Sequence, residues 1–211
     1  MADDDAAAFP RPGPGTAAVV AILCAVFLFE WYVLSTFGFE TFVWLFVARL
    51  DPSVGWVVAP FAHESLPHLV TTVVTVLVFG TFAESRLRES RFFAFLVVAA
   101  YLSTAAQVAS YAVAPANGAG TLGTSGGALA LTAFVVVQSL RTYNVTGRWS
   151  FEGEWVWALT GVAVLALLLA NDFVPWVSLN GGTAAVGHLA GVLVGVAFGF
   201  WHPITRSGAR A

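Results

Sequence analysis

A succession of long apolar runs is the feature that most constrains this chain. Six such runs occupy most of the sequence, separated by short segments that contain glycine, proline or arginine. Of the 211 residues, 58% are hydrophobic and only 10% are charged, whereas an ordinary globular domain is about 25% charged. Inside a bilayer the backbone must satisfy its own hydrogen bonds, so apolar runs of about 20 residues form helices. The sequence therefore predicts an all-α polytopic membrane protein.

The six runs divide the chain into a membrane domain and two short tails. Residues 1–16 are acidic, then rich in proline and glycine, and are expected to form a flexible tail. Residues 17–203 are expected to form the membrane domain, and residues 204–211 a second tail. The predicted spans cover residues 17–35, 66–84, 92–113, 125–140, 154–170 and 183–201.

Two segments between the spans have expectations of their own. Residues 39–50 are too short to cross a bilayer and are expected to form an interfacial loop helix. Ser65 is the predicted N-cap of the second span, with Pro67 in its first turn. The fourth span is too short to cross alone, so the irregular residues 114–124 before it are expected to dip into the membrane.

The basic residues indicate how the chain is oriented. Six spans put both termini on one side, and of the 9 basic residues all but Arg49 fall on that side. Cytoplasmic loops carry such an excess, so we expect a multi-pass protein of the cell membrane, surrounded by the lipid bilayer, with both termini cytoplasmic. No basic block indicates nucleic acid. Cys24 is the single cysteine, which excludes an intramolecular disulfide and a thiolate cluster, and we expect no metal or cofactor.

Three polar residues of catalytic type share one depth in the predicted bundle. His68 lies 16 residues before Glu84, Ser125 lies 16 residues before Arg141, and His188 lies 15 residues before Pro203. At about 1.5 Å per residue, each is roughly 22–24 Å above the cytoplasmic end, inside a core about 30 Å thick. A lone serine among glycines is usually a packing residue. Three such residues at one depth favour a functional site, because ionisable groups are costly to bury there.

Small residues predict which helices meet at this depth. On the sixth span, glycines recur every four residues, at Gly187, Gly191 and Gly195. The fourth span offers two matching pairs, Gly123 with Gly127 and Gly126 with Ala130. Close packing there would bring Ser125 within hydrogen-bonding reach of His188, which could act as its general base. No acidic residue is evidently placed to complete a triad, so the residues predict a Ser–His dyad.

These residues resemble the motifs of the rhomboid family of intramembrane serine proteases, over the whole predicted core of residues 17–203. Gly123-Thr124-Ser125-Gly126 is similar to the family's GxSG motif. His188, Gly191 and Gly195 fit its HxxGxxxG pattern, and His63 and His68 fit the first part of HxxxxHxxxN. Glu84-Ser85-Arg86, at the end of the second span, also resembles the family.

The resemblance implies a six-helix serine endopeptidase that cleaves single-span membrane proteins in or near the bilayer. Ser125 would attack the peptide carbonyl, and His188 would relay the proton. The acyl-enzyme would then be hydrolysed by water. The Ser125 N–H and the His68 side chain would hold the oxyanion, and His63 is expected to support the site as a loop or water-network residue.

Two positions depart from the family's motifs and keep other interpretations open. Thr72 stands where the second-helix motif has asparagine, and its hydroxyl can bond to its own helix instead. Leu129 stands where an aromatic residue often packs on the histidine. A catalytically weak or inactive rhomboid-like protein that binds membrane segments is therefore a second hypothesis. A small channel or transporter is a third, and it fits least because the helices are almost wholly apolar below His68.

Overall fold

In the computed structural model, which describes residues 11–114, 120–147, 154–173 and 184–204, the chain forms six long helices. They are α1 (Pro14–Phe46), α2 (Leu66–Arg86), α3 (Glu89–Val113), α4 (Ser125–Thr146), α5 (Glu154–Phe173) and α6 (Ala185–Trp201). A short helix (Gly55–Val58) and a 3-10 turn (Ala59–Phe61) lie between α1 and α2. The described residues contain no strand, only an isolated antiparallel bridge between Ala48 and Thr121. The predicted all-α fold is confirmed.

The helices have the length and composition of membrane spans. In the described part of the chain, α1, α2, α3 and α5 are long and apolar enough to cross a membrane, and α6 is a shorter apolar helix. α4 is not in this set, because Gln138 and Arg141 lower the hydropathy of its second half. The chain is therefore a multi-pass membrane protein, as predicted.

α1 begins earlier than predicted. It starts at Pro14. Residues 14–16, which were predicted to belong to the flexible tail, are therefore helical. The carboxylate of Glu84 accepts the backbone N–H groups of Gly15 and Thr16 at 2.7 and 2.9 Å. The first N–H groups of a helix have no partner within it, so these bonds allow the helix to begin here.

The first long helix contains a break close to the predicted end at residue 35. Gly38 has non-helical φ and ψ and separates a long part that begins at Pro14 from a second helical part that ends at Phe46. Gly38 has φ 82°, in the left-handed region that glycine adopts without strain. The predicted loop helix of residues 39–50 corresponds to this second part, which ends at Phe46 and not at residue 50.

α2 begins as predicted and changes geometry midway. The hydroxyl oxygen of Ser65 accepts the N–H of His68 at 3.4 Å, and Pro67 lies in the first turn. A π-helical stretch, Val76–Gly80, then interrupts the regular α-helix. The helix resumes at once and ends at Arg86.

α4 lies at the centre of the bundle. Residues 126–139 are all buried, and α2, α3, α5 and α6 pack around them. A helix that is apolar all round belongs in such an interior position. α4 runs to Thr146, beyond the predicted end at residue 140, and stops at Gly147, whose φ of 65° caps the helix.

Charged side chains join the helix ends opposite Ser125. Arg141 on α4 donates to the carbonyl oxygens of Gly199 and His202 at 2.6 and 2.8 Å. The guanidinium thereby satisfies the last carbonyls of α6, where a cation is favourable. At the same end, Glu84 binds the start of α1.

Most of the predicted tails, of the loop at residues 173–182 and of the loop before α5 lies outside the described residues.

Candidate active site

The loop between α1 and α2 holds the segment that leads into α4. The N–H of Gly123 donates to the carbonyl of Ala59 at 2.8 Å, and the hydroxyl of Thr124 donates to the carbonyl of Pro60 at 2.5 Å. Gly123 has φ 126°, which a residue with a side chain rarely adopts. These contacts determine where the helix starts, and Ser125 is its first residue.

Ser125, His188 and Asp172 form one hydrogen-bonded chain. The hydroxyl oxygen of Ser125 lies 2.8 Å from Nε2 of His188. Nδ1 of the same ring lies 2.6 Å from Oδ2 of Asp172 on α5. A carboxylate only accepts, so Nδ1 carries the proton and Nε2 is free to accept from the Ser125 hydroxyl. The His188 side chain is 17% exposed and that of Asp172 1%.

Asp172 corrects the prediction that no acidic residue is placed to complete a triad. It lies in the last turn of α5, which runs in the opposite direction to α4 and α6. From Glu154 to Asp172 is 18 residues, a rise of about 27 Å that brings Asp172 close to the depth of Ser125. The sequence comparison of depths covered only the second, fourth and sixth spans, and it selected Ser125 and His188. If it had also covered the spans that run in the opposite direction, it could have found Asp172.

Glycines allow α6 to pack closely against α4. A Cβ placed at Gly191 would collide with the backbone of Gly126, and one at Gly195 would collide with the backbone of Ala130. The two helices therefore meet along Gly126 and Ala130, one of the two pairs that the sequence offered. This close approach puts His188, one turn before Gly191, beside the start of α4.

Gly127 and Gly187 face α3 instead. A Cβ at Gly127 would lie 3.1 Å from Cδ1 of Leu96, and one at Gly187 would lie 2.9 Å from the carbonyl oxygen of Ser103. The predicted alternative pairing through Gly127 is therefore not the one that joins α4 to α6. The N–H of Gly187 donates to Oε1 of Gln107 at 2.9 Å, which ties the start of α6 to α3.

His68 lies beside the first turn of α4. A Cβ at Gly123 would lie 2.8 Å from Cε1 and 3.2 Å from Nε2 of His68, and 3.5 Å from the hydroxyl oxygen of Ser125. As the first residue of α4, Ser125 has an N–H without an acceptor in its own helix. Thr72, one turn after His68, is buried. In the described residues no hydrogen bond joins its hydroxyl to Ser125.

His63 lies behind His68 and not at Ser125. The two rings are 5.0 Å apart between centroids and are roughly perpendicular. The N–H of His63 donates to Oε1 of Glu30 at 2.8 Å, and Glu30 was not among the predicted site residues. Burial lowers the pKa of His63 from 6.5 to about 3, so its ring is neutral at pH 7.

A narrow cleft reaches the Ser125 hydroxyl. It has room for about one water molecule. The lining of this cleft comes from α3, from the segment before α4 and from the starts of α4 and α6. It includes Ser103, Thr104, Gln107, Thr121, Gly126 and Gly187. In the described ranges, no group of three His, Cys, Asp or Glu side chains is arranged to hold a metal ion.

The arrangement can support acyl transfer. Ser125 provides a hydroxyl nucleophile, and His188 provides a base whose tautomer Asp172 determines. Nε2 of His68 and the hydroxyl oxygen of Ser125 both lie within about 3.5 Å of the space beside Gly123, where a substrate oxygen could be held. The start of α4 adds a positive partial charge at the same place.

Comparison with known proteins points to one family. The model of the Rhomboid domain matches residues 52–203. The matched range contains α2 to α6, and with them His68, Ser125, Asp172 and His188. α1 precedes the matched range. No curated protein matches the sequence.

Proposed function

The chain belongs to the rhomboid family, and on this premise we propose that it is an intramembrane serine endopeptidase that hydrolyses peptide bonds of single-span membrane proteins. The observation that carries the proposal is the hydrogen bond of 2.8 Å between the Ser125 hydroxyl and Nε2 of His188. A packing serine bonds back to its own helix, whereas this one bonds to a base on another helix.

In the first step Ser125 is the nucleophile. As its oxygen attacks the peptide carbonyl, the hydroxyl proton passes to Nε2 of His188. The ring then carries two protons and a positive charge, and the Asp172 carboxylate at Nδ1 stabilises that charge. Asp172 is a positioning residue, since it acts on substrate only through His188.

The negative charge that develops on the substrate oxygen needs donors that are already in place. We assign this role to the Ser125 N–H and to an N–H at Nε2 of His68. Such preorganised donors are each worth about 10²–10³ in rate. Thr72 is in the position of the family's asparagine and is buried one turn after His68, and the proposal assigns it only a supporting place beside the site.

The remaining steps release the two products. His188 gives its proton to the leaving amine, and the carboxyl-terminal fragment departs. A water molecule that enters the cleft then attacks the ester carbonyl while His188 accepts its proton. When the bond between the carbonyl carbon and the Ser125 oxygen breaks, His188 returns this proton to Ser125, and the amino-terminal fragment leaves with a free carboxyl group.

The position of the site supports membrane segments as the substrate class. Ser125 lies at the end of α4 remote from Arg141, and the arginine-rich end is the one we assign to the cytoplasm. Cleavage would then occur near the outer face, on a segment that enters between the helices.

A fluorophosphonate probe tests the proposal directly. We expect the purified protein in detergent to be labelled, and we expect Ser125→Ala and His188→Ala to abolish labelling. Ser139→Ala is the matched control, since Ser139 is fully buried on the same helix near its other end. Labelling that survives Ser125→Ala would contradict the assignment of the nucleophile.

A catalytically inactive membrane-segment-binding protein is the second candidate, and Thr72 in place of asparagine favours it. The same experiment separates the two. If the folded parent protein is not labelled, while a known serine hydrolase in the same detergent is, the enzyme proposal is wrong.

A further inference from the structure

A second buried polar cluster lies directly behind the oxyanion side of the site. It consists of Glu30 from α1, His63 from the first loop and His68 from α2. Glu30 is 2% exposed to solvent, and His63 is 1% exposed. A carboxylate inside a spanning helix is costly to bury, so its presence here requires a specific partner.

The direct contacts in this cluster satisfy only part of it. Oε1 of Glu30 accepts the backbone N–H of His63. Four other buried side-chain atoms make no hydrogen bond of good geometry within the protein: Oε2 of Glu30, Nδ1 and Nε2 of His63, and Nδ1 of His68. The backbone of Phe61 interacts with the His63 ring but leaves at least one of its two nitrogens to be satisfied. Buried polar atoms are almost always paired, and where protein groups do not pair them, ordered water does. Four such atoms on three neighbouring residues indicate a hydrogen-bond network completed by water.

The chemistry of His68 gives this network a purpose. A neutral imidazole has one donor and one acceptor nitrogen. If Nε2 is to donate to the oxyanion, Nδ1 has to be the acceptor and needs a donor facing it. The His63 ring lies 5.0 Å from the His68 ring between centroids, and Nδ1 of His68 is buried with no hydrogen bond to protein.

We propose that His63 and Glu30 are positioning residues for His68. Together with ordered water they form a buried relay that presents a hydrogen-bond donor to Nδ1 of His68, and this keeps the proton of His68 on Nε2, toward Gly123 and Ser125. The inference rests on the proposed function, because orienting Nε2 of His68 matters only if His68 binds the oxyanion of a reaction. Glu30 holds the relay in place by binding the backbone of His63.

The tautomer of His68 can be measured without any variant. The chain contains only 4 histidines, so ¹⁵N imidazole spectra of the labelled protein in detergent are tractable. We expect His68 in the neutral form with the proton on Nε2, assigned by its loss in His68→Gln. A proton on Nδ1 in the parent protein would overturn the proposal.

His63→Phe is the variant that tests the relay. It keeps an aromatic ring and the backbone N–H that binds Glu30, and it removes only the two ring nitrogens. We expect kcat on a transmembrane peptide substrate to fall about 10-fold or more, the scale on which outer-shell partners act, with KM nearly unchanged. The His68 spectrum should shift toward a mixture of tautomers, which a merely structural role for His63 would not cause.

His202→Phe is the matched control. His202 is also buried, and its Nε2 also has no protein partner, but it lies at the opposite end of the bundle. We expect the substitution to leave kcat and the His68 spectrum unchanged. If His63→Phe changes neither quantity, the relay does not exist.

Glu30→Met supplies an independent variant if His63→Phe does not fold. It removes both carboxylate oxygens at similar side-chain length, and we expect the same shift in the His68 spectrum. Residues that act through one path are not additive, so the double variant should be no slower than the slower single variant. Additive losses would overturn the proposal.

Failure of this inference and failure of the proposed function are distinguishable. If Ser125→Ala abolishes labelling while His63→Phe has no effect, the enzyme assignment stands and the relay is wrong. If the parent protein is never labelled, the function itself is wrong, and the tautomer of His68 still reports whether the relay exists.

Discussion

At the scale of single residues, the two histidines next to Ser125 need opposite tautomers. Nε2 of His188 has to accept a proton from Ser125, and Asp172 favours this by binding the proton on Nδ1. Nε2 of His68 has to donate, and nothing acidic contacts its Nδ1 directly in the described residues. A carboxylate lies against the His188 ring, whereas the polar cluster of Glu30 and His63 lies beside the His68 ring. Under the two proposals above, each ring would carry its proton on the nitrogen that its role requires.

Asp172→Asn is expected to slow the enzyme by about 10²-fold or more, because an amide donor facing Nδ1 favours the tautomer of His188 that cannot accept from Ser125. The measurement is the rate of fluorophosphonate labelling, with folding checked by thermal unfolding. Asp51→Asn, which changes an exposed carboxylate in the first loop, is the control and should leave the rate unchanged. An unchanged rate in Asp172→Asn would mean that the Ser125–His188 pair works without the acid.

At the scale of helices, the site depends on the separation of α4 and α6. The stripe of glycines on α6 removes every Cβ that would hold the two backbones apart. Ser125 and His188 are on different helices, so their hydrogen bond reports this separation. α5 adds Asp172 from a third helix, and the loop before α2 positions the start of α4.

Gly191→Ala is expected to slow labelling at least 10-fold, because the new Cβ meets the backbone of Gly126 and has to push α6 away. A displacement of about 1 Å is enough to cost up to 10²-fold in rate. Gly199→Ala is the matched control on the same stripe, where the Cβ meets the side chain of Val137 far from the site. Both variants should be less stable than the parent. Equal labelling rates for the two would show that the spacing at Gly191 does not control the chemistry.

At the scale of the whole molecule, the two ends of the bundle have different tasks. One end holds the polar site, and the other holds the helix ends together through charged side chains. There Glu84 caps the start of α1, and Arg141 binds the last carbonyls of α6. The segment Glu84-Ser85-Arg86, which resembles the family's sequence, thus makes a structural contact far from Ser125.

Glu84→Gln is expected to lower the free energy of unfolding by about 1–2 kcal/mol, since it removes a charge that accepts two backbone N–H groups and the hydroxyl of Thr16. Unfolding in detergent measures this. Asp51→Asn is the control, because Asp51 lies exposed in the first loop, outside any helix, and should have no measurable effect. If Glu84→Gln unfolds like the parent, the cap does not stabilise the bundle. The intrinsic labelling rate should stay the same in both variants.

Most of the fold could be predicted from the sequence because hydropathy and helix rise are properties of consecutive residues. The span boundaries of α2, α3 and α5 were close for this reason, as was the shared depth of Ser125 and His188. Gly38 was correctly read as a helix breaker, because its φ of 82° separates the long first helix from the short helix that ends at Phe46. The end of α4 was wrong because Arg141 reads as the start of a loop, whereas its guanidinium binds carbonyls at the end of α6 and the helix continues to Thr146.

By itself, the sequence determined the membrane class, the succession of helices, the family resemblance and the candidate pair of Ser125 and His188. Only the tertiary structure decided that Gly126 and not Gly127 faces α6, that Asp172 contacts His188, and that Glu30 lies with His63 behind His68. The physical reason is that depth along a helix follows from counting residues, whereas the direction a side chain faces depends on how each helix is rotated against its neighbours. In a membrane, where all faces of a helix are apolar, hydropathy carries almost no information about that rotation.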